Sequence, residues 1–389
     1  MHKRSDSAVS VSRRTFVRAV GIGGASAAML PRANLLAMVA PRAAAPLAPV
    51  LLHNNENPVG PSPAALEAMD RILGGGEPAG RYPFDAARGL PGAIAEVIGV
   101  PGDRVMVGNG STQLLRTATQ VFTSPSRPLV AGALTYEECA GYAGVVGHPV
   151  RKVALTDDLM LDLDGMVEAA RGGGMVFLNN PNNPTGTVHS EAAVAGFIER
   201  TLAVDPEVVM CVDEAYHDYV TDPSYGTAIP LAVDNERVLV ARTFSKAHGM
   251  AGMRIGYMVG HPAALNRMRR WHYGLSLNVL ALAAAASSIR DQTTIRRERN
   301  RNTEARAYTI DWFHRRGLST TDSQTNFIFA QTRMAASAFR AGCLERGFKV
   351  GRDFPPFENS HARISIGTLE QMQRATAAFA KVLKVRAVA

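Results

Sequence analysis

Short, nearly continuous apolar runs recur through the middle of the chain, at residues 105–107, 128–131, 175–178, 208–212, 238–241 and 255–259. Each is bounded by turn or polar residues and is too short for a helix, so each reads as a buried strand. Between them, apolar residues return at three- and four-residue intervals. That spacing predicts helices over 63–72, 90–98, 190–201 with Ser190 as N-cap, and from Gly110 through Leu114, Leu115 and Ala118. Strands buried on both faces and alternating with helices make a mostly parallel α/β sheet, whose functional groups gather beyond the strands' carboxyl ends. Asn183, Asp213 and Lys246 each fall just after such an end.

The pattern changes near residue 262. Residues 262–301 read as one long helix, apolar over 277–286 and strongly charged afterwards. A strand at 326–330, a helix at 334–346, a strand at 363–366 and a helix opened by the capping box Thr368-Leu369-Glu370-Gln371 follow. The expected division is a leader and linker over 1–45, an N-terminal segment over 46–75 that joins the small domain, a large domain over 76–290 and a small α+β domain over 291–389.

Composition narrows the function classes. A chain of 389 residues, 46% hydrophobic and 20% charged, is an ordinary globular protein with room for a large core. The formal charge of +8 is concentrated in Lys3, Arg4, Arg13, Arg14, Arg18, Arg32 and Arg42, set against Asp6, which leaves about +2 on the rest. A nucleic-acid footprint would need that charge on the folded body. Cys139, Cys211 and Cys343 are odd in number and lack metal spacing, so neither a disulfide framework nor a metal site is expected. Past the leader, no apolar run reaches the roughly 18 residues of a membrane span.

The leader has its own pattern. Ser12-Arg13-Arg14-Thr15-Phe16-Val17-Arg18 precedes a mild Gly/Ala-rich run over 19–30 and resembles a twin-arginine export signal, the alternative being a basic tail. Cleavage at 43–45 or within 33–40 both fit. The resemblance implies export of the folded protein to the periplasm or beyond.

The chemistry centres on Lys246, one of only six lysines in the chain. A desolvated lysine near another cation has a depressed pKa and forms Schiff bases. The turn Gly108-Asn109-Gly110-Ser111-Thr112-Gln113 enters a helix and offers free amides to an anion. It has neither dinucleotide glycine spacing nor Gly-Lys-Ser/Thr, so the Rossmann and P-loop fingerprints fail. An amine, a carboxylate, an Asn, a Tyr, an anion cradle and a guanidinium together suit pyridoxal 5′-phosphate. Lys246 would bond its aldehyde, Asp213 would pair with the ring nitrogen, and Asn183 and Tyr216 would hydrogen-bond the ring oxygen. Gly110, Ser111, Thr112, Ser245 and Arg254 would hold the phosphate.

Asn-Pro-Asn-Asn-Pro-Thr-Gly at 180–186, Asp-Glu-Ala-Tyr at 213–216 and Arg-Thr-Phe-Ser-Lys-Ala-His-Gly-Met-Ala-Gly-Met-Arg at 242–254 resemble the fold-type I, class I/II aminotransferases. Asn55-Glu56-Asn57-Pro58 and Gly60-Pro61-Ser62-Pro63 narrow this to the histidinol-phosphate aminotransferase-like branch. The resemblance implies that Tyr136 stacks on the cofactor ring and that Tyr82 reaches the cofactor phosphate of a partner subunit, making a homodimer. It also implies that Arg363 clamps the substrate α-carboxylate, with Asn57 and Asn326 lining the same site. Val59, Leu275-Ser276-Leu277-Asn278, His217 and His248 depart from the branch pattern, and each His reads as structural. The expected activity is transamination between an α-amino acid and a keto acid. An oxygen-using amino-acid oxidase on the same scaffold and a histidinol-phosphate aminotransferase are the alternatives. A non-catalytic binding module would not combine Lys246, Asp213 and Arg363.

Overall fold

In the computed structural model, which describes residues 48–75, 79–272 and 276–385, the predicted apolar runs become the strands of one sheet. The strands are β1 (Val50–Leu52), β2 (Val105–Gly108), β3 (Leu129–Gly132), β4 (Val150–Val153), β5 (Met175–Asn179), β6 (Val209–Asp213), β7 (Val238–Thr243), β8 (Gly256–Gly260), β9 (Phe327–Gln331), β10 (Phe348–Val350) and β11 (His361–Ser365). Seven of them form the central sheet, in the order β2-β8-β7-β6-β5-β3-β4. Only β8 runs against its neighbours β2 and β7; the other pairs are parallel. The fold class is the expected α/β.

Helices cover both faces, and their apolar sides make two large clusters of buried residues, one around Val130, Phe197, Val212 and Val240, the other around Leu114, Phe177, Cys211 and Met258. Phe177 and Phe197 are fully buried, and truncating either to Ala would cost about 3–5 kcal/mol. A third cluster gathers Leu52 with Phe313, Ile328, Phe339, Ile364 and Phe379, so β1, paired in parallel with β10, packs among the C-terminal elements. β9 and β11 pair antiparallel there, with Arg363 opposite Phe329. Residues Pro49–Ala389 form one compact unit.

The structure differs from the pattern-based expectation in several places. The single helix expected over 262–301 is three: Pro262–Arg269, Val279–Ser288 and Gln292–His314. Asn278 accepts from Ala281 N–H at 2.7 Å and Asp291 from Thr294 N–H at 3.1 Å, so each starts a new helix with its own cap. β4 was missed because Val150-Arg151-Lys152-Val153 is a charged edge strand, which lacks an apolar run. The short helices Glu138–Val145 and Leu163–Ala169 also went unmarked. The expected export signal, and Leu275, lie outside the described residues. Among the described residues, no helix is long and apolar enough to cross a membrane.

Candidate active site

Three neighbouring strand ends set the site. Asn179, last in β5, is level with Asp213, last in β6, and Asp213 is level with Ala241 of β7. β7 continues to Thr243, whose hydroxyl accepts from Ser245 N–H at 3.1 Å and donates to Ser245 Oγ at 3.0 Å. Gly249 N–H then donates to the Lys246 carbonyl at 2.9 Å and Met250 N–H to the Phe244 carbonyl at 3.0 Å. This turn fixes where Lys246 leaves the sheet. Its ammonium donates to the Asn54 carbonyl at 3.2 Å and lies 5.6 Å from the Tyr216 ring centroid. Burial, and then the charge of Arg363, lower its pKa from 10.5 to about 8. An amine that sheds its proton so near neutrality can serve as nucleophile and base.

The Asp213 carboxyl is buried and takes one hydrogen bond, from Ala215 N–H at 3.1 Å. Burial raises its pKa to about 7. A carboxylate so short of donors is stabilised by any cation that comes to rest on it.

Opposite these groups, helix Gly110–Phe122 starts directly after β2. Ser111 and Thr112 at its start, with Ser245 and Arg254, line the same cavity as Lys246 and Asp213. The Arg254 guanidinium donates to Ala251 O at 2.8 Å and Ser245 Oγ at 3.4 Å. Gly110 does not line the cavity. It stands at φ +72°, and a Cβ there would fall 2.5 Å from Arg254 Nη2, so its bare α-carbon is what admits the guanidinium.

The cavity measures about 480 Å³, and Tyr136, Asn183, Tyr216 and Arg363 complete its wall among the expected residues. Tyr216 OH accepts from Asn55 Nδ2 at 3.1 Å and from Asn183 Nδ2 at 3.4 Å. Arg363 donates through Nη1 to Asn183 Oδ1 and through Nη2 to the His53 carbonyl, both at 2.6 Å, while its buried Nε has no partner. Burial lowers its pKa to about 10, which leaves it cationic at neutral pH. Its fork is turned into the cavity with donor capacity to spare.

Besides Gly110, three expected site residues do not line the cavity. Asn57 donates to the Ala247 carbonyl at 3.0 Å and accepts from Val59 N–H at 3.0 Å, and it faces a neighbouring cavity of about 400 Å³. Asn55, at φ +56°, takes the place in the wall that Asn57 was expected to fill. Asn326 is fully buried and donates to the Asn55 carbonyl at 3.0 Å, so it braces the wall from behind. Tyr82 is 74% exposed, beside Phe84, and lines no part of its own chain's cavity. The sequence reading also missed Asn54, Glu137, Thr243, Arg352 and Phe354, which line the cavity. Asn55 had a signal, its place in the quoted Asn-Glu-Asn-Pro run; Glu137 had one in following Tyr136.

The departures sort simply. His248 Nδ1 hydrogen-bonds Ser288 Oγ at 2.7 Å and its ring packs 4.7 Å from that of Phe244. His217 Nδ1 meets Tyr225 OH at 3.2 Å. Burial lowers both pKa values, so both are neutral structural groups at pH 7, and neither lines the main cavity. His53 contributes its carbonyl to Arg363, and burial lowers its pKa too. Among the described residues no cluster of metal-ligating side chains occurs.

The donor set fits a phosphorylated pyridine aldehyde. The crowded contact between Gly110 and Arg254 builds an anion cradle, the sparsely bonded Asp213 suits a protonated ring nitrogen, and the amine of Lys246 suits an aldehyde.

Comparison with known proteins gives the same direction. The family described as aminotransferase class I and II matches residues 49–379. A histidinol-phosphate aminotransferase of Symbiobacterium thermophilum is 37% identical over 328 residues, covering 84% of this chain and 88% of that protein. One from Moorella thermoacetica is 32% identical over 340 residues, covering 86% and 85%. Among solved structures, a putative histidinol-phosphate aminotransferase from Erwinia carotovora atroseptica superposes with TM-score 0.81 at 30% identity, over 86% of this chain and 96% of that one. The Sinorhizobium meliloti histidinol-phosphate aminotransferase, solved with pyridoxal-5′-phosphate, shares the fold with TM-score 0.79 at 24% identity, over 87% and 91%.

Proposed function

The chain belongs to the class I and II aminotransferases, pyridoxal-phosphate enzymes of fold-type I, and on that premise we propose that it moves the amino group of an α-amino acid to a keto acid. The observation that carries this reading is the convergence of Lys246, Asp213 and Arg363 on one cavity. Bound there, the cofactor supplies an aldehyde to take up the amino group and a ring to accept the electrons released when Cα loses its proton.

The protein's own groups do the rest. Arg363 receives the α-carboxylate in a bidentate grip, exchanging its contacts with Asn183 Oδ1 and the His53 carbonyl for a charged partner. Lys246, neutral above about pH 8, would take the proton from the substrate Cα and hold it for return. Asp213, itself buried, would pair with the ring nitrogen and keep its proton in place. Tyr216 and Asn183 would hydrogen-bond the ring oxygen, Tyr136 would stack on the ring, and Ser111, Thr112, Ser245 and Arg254, which line the same cavity, would hold the phosphate.

The relatives named above are aminotransferases and lend no support to an oxygen-using oxidase. Their own substrate, histidinol phosphate, is the second reading for this chain, favoured by identities of 37% and 32%. The test is a panel of amino acids given to the loaded enzyme with and without 2-oxoglutarate. Keto-acid-dependent product from at least one amino acid is expected; product from none would overturn the reading.

Two further proposals belong to the whole protein. Tyr82, exposed with Phe84, Leu66, Leu73 and Trp271, supports a homodimer in which Tyr82 completes the partner's site. The Arg13-Arg14 leader supports folded export. Cell fractionation that finds the wild-type protein only in the cytoplasm would remove the export proposal.

A further inference from the structure

Two guanidinium groups approach the one ring of Phe354. The Arg363 carbon Cζ lies 4.9 Å from the ring centroid and that of Arg352 lies 4.3 Å from it. The anion-binding end of the cavity therefore holds two cations, and Arg352 lines the cavity alongside Phe354 and Arg363. Two such charges would match a phosphate monoester, which carries about −1.5 to −2 at pH 7. A carboxylate carries only one.

Arg352 is not free to make that match. Its Nη2 donates to Glu137 Oε2 and its Nη1 to the Asp353 carbonyl at 2.9 Å. Glu137 follows Tyr136 directly and lines the cavity, so its carboxylate is held at the mouth. The next residue, Glu138, is paired elsewhere, with Arg116. Arg363, by contrast, is met only by neutral acceptors. Around Phe354 the charges of Arg363, Arg352 and Glu137 thus sum to a single positive charge, and Glu56 is a further carboxylate in the wall of the same cavity.

We propose that Glu137 is a specificity-determining residue: by occupying Arg352 it fits the site to an α-carboxylate and turns away amines that carry a phosphate monoester in its place. The inference rests on the aminotransferase reading above and names its substrate class. An incoming phosphate would have to displace Glu137 from Arg352 and then face the displaced carboxylate, which is discrimination by repulsion as much as by fit. The pair is solvent-exposed, with 54% and 65% of the two side chains accessible, so it adds little to stability and can be altered without unfolding the protein.

L-histidine and histidinol phosphate share one side chain and differ in carboxylate against phosphate ester, which makes them the paired probes. Each is added to the loaded enzyme, and the change in the bound cofactor's absorbance is followed. Wild type is expected to respond to histidine with the higher kcat/KM. Glu137→Gln should raise the ratio of the response to histidinol phosphate over that to histidine by about tenfold or more. The double variant Glu137→Gln, Arg352→Gln should lose that gain. A Glu137→Gln enzyme with no gain, a gain that survives in the double variant, or a wild type that prefers histidinol phosphate would each overturn the proposal. Where wild type answers neither probe, the same gain in Glu137→Gln supports it and its absence overturns it. Failure of the aminotransferase reading itself looks different: no amino acid in the panel yields a keto acid in wild type or variant.

Discussion

Asp213 and Lys246 face one another with opposite departures from their ordinary acidities, and the consequences for stability have opposite signs. Asp213 has a folded pKa raised to about 7 from 3.8, so the fold binds a proton that the unfolded chain releases between those values. Stability attributed to Asp213 therefore falls as pH rises from about 4 to 7. Lys246, lowered to about 8 from 10.5, adds stability as pH rises through that interval, because the fold sheds its proton first. Asp213→Asn removes the buried charge and keeps the shape. In the cofactor-free protein it should raise the melting temperature at pH 8 and leave it unchanged at pH 4, where wild-type Asp213 is already protonated. Its transaminase rate should fall by roughly 10²–10³, the usual loss when one preorganised electrostatic group is removed. Paired melting curves and steady-state rates read both effects. A variant no more stable than wild type at pH 8 would mean that Asp213 has a compensating partner in the unloaded site.

At the scale of elements, the site depends on how the N-terminal segment lies against the turn after β7. Asn57 Nδ2 holds the Ala247 carbonyl, the Asn54 carbonyl holds Lys246, and Asn55 is pinned by Ser365. Gly249 permits this contact: at φ +70°, a Cβ there would lie 2.0 Å from the Gly60 carbonyl oxygen. Gly249→Ala should cost about 1–2 kcal/mol from the backbone alone, visible as a melting temperature lower by several degrees. It should also raise KM for the amino donor, because Asn55 and the His53 carbonyl shift with the segment. Thermal unfolding and kinetics equal to wild type would show that the segment is held by other means. The same element explains what could be read from sequence. Asn183, Asp213 and Lys246 were legible because strand ends and their turns are local patterns. Phe354 and Arg352 were not, since only the docking of distant segments brings them to the cavity. Asn57 was expected from the resemblance, but it is Asn55, at φ +56°, whose side chain reaches Tyr216, a turn the sequence does not show. The break between residues 269 and 279 was hidden for a different reason: Asn278 is a cap only once its helix exists.

For the molecule as a whole, the exposed Tyr82 gives the dimer proposal a decisive form. Lys246→Ala and Tyr82→Ala are each expected to be poor enzymes as homodimers. Unfolded together and refolded as a mixture, they should recover activity, because one site of each hybrid joins an intact Lys246 to an intact Tyr82 from the other subunit. Activity no higher than the two parents combined would place the role of Tyr82 within its own chain. The contacts of Arg363 with the His53 carbonyl and of Asn55 with Ser365 carry a consequence of another kind, since each joins positions 310 residues apart. A ribosome has released nearly the entire chain before those bonds can form. Fragments from stalled translation or early termination therefore cannot assemble the pocket, and capture of the yellow cofactor becomes a visible mark of a chain synthesised at least through β11.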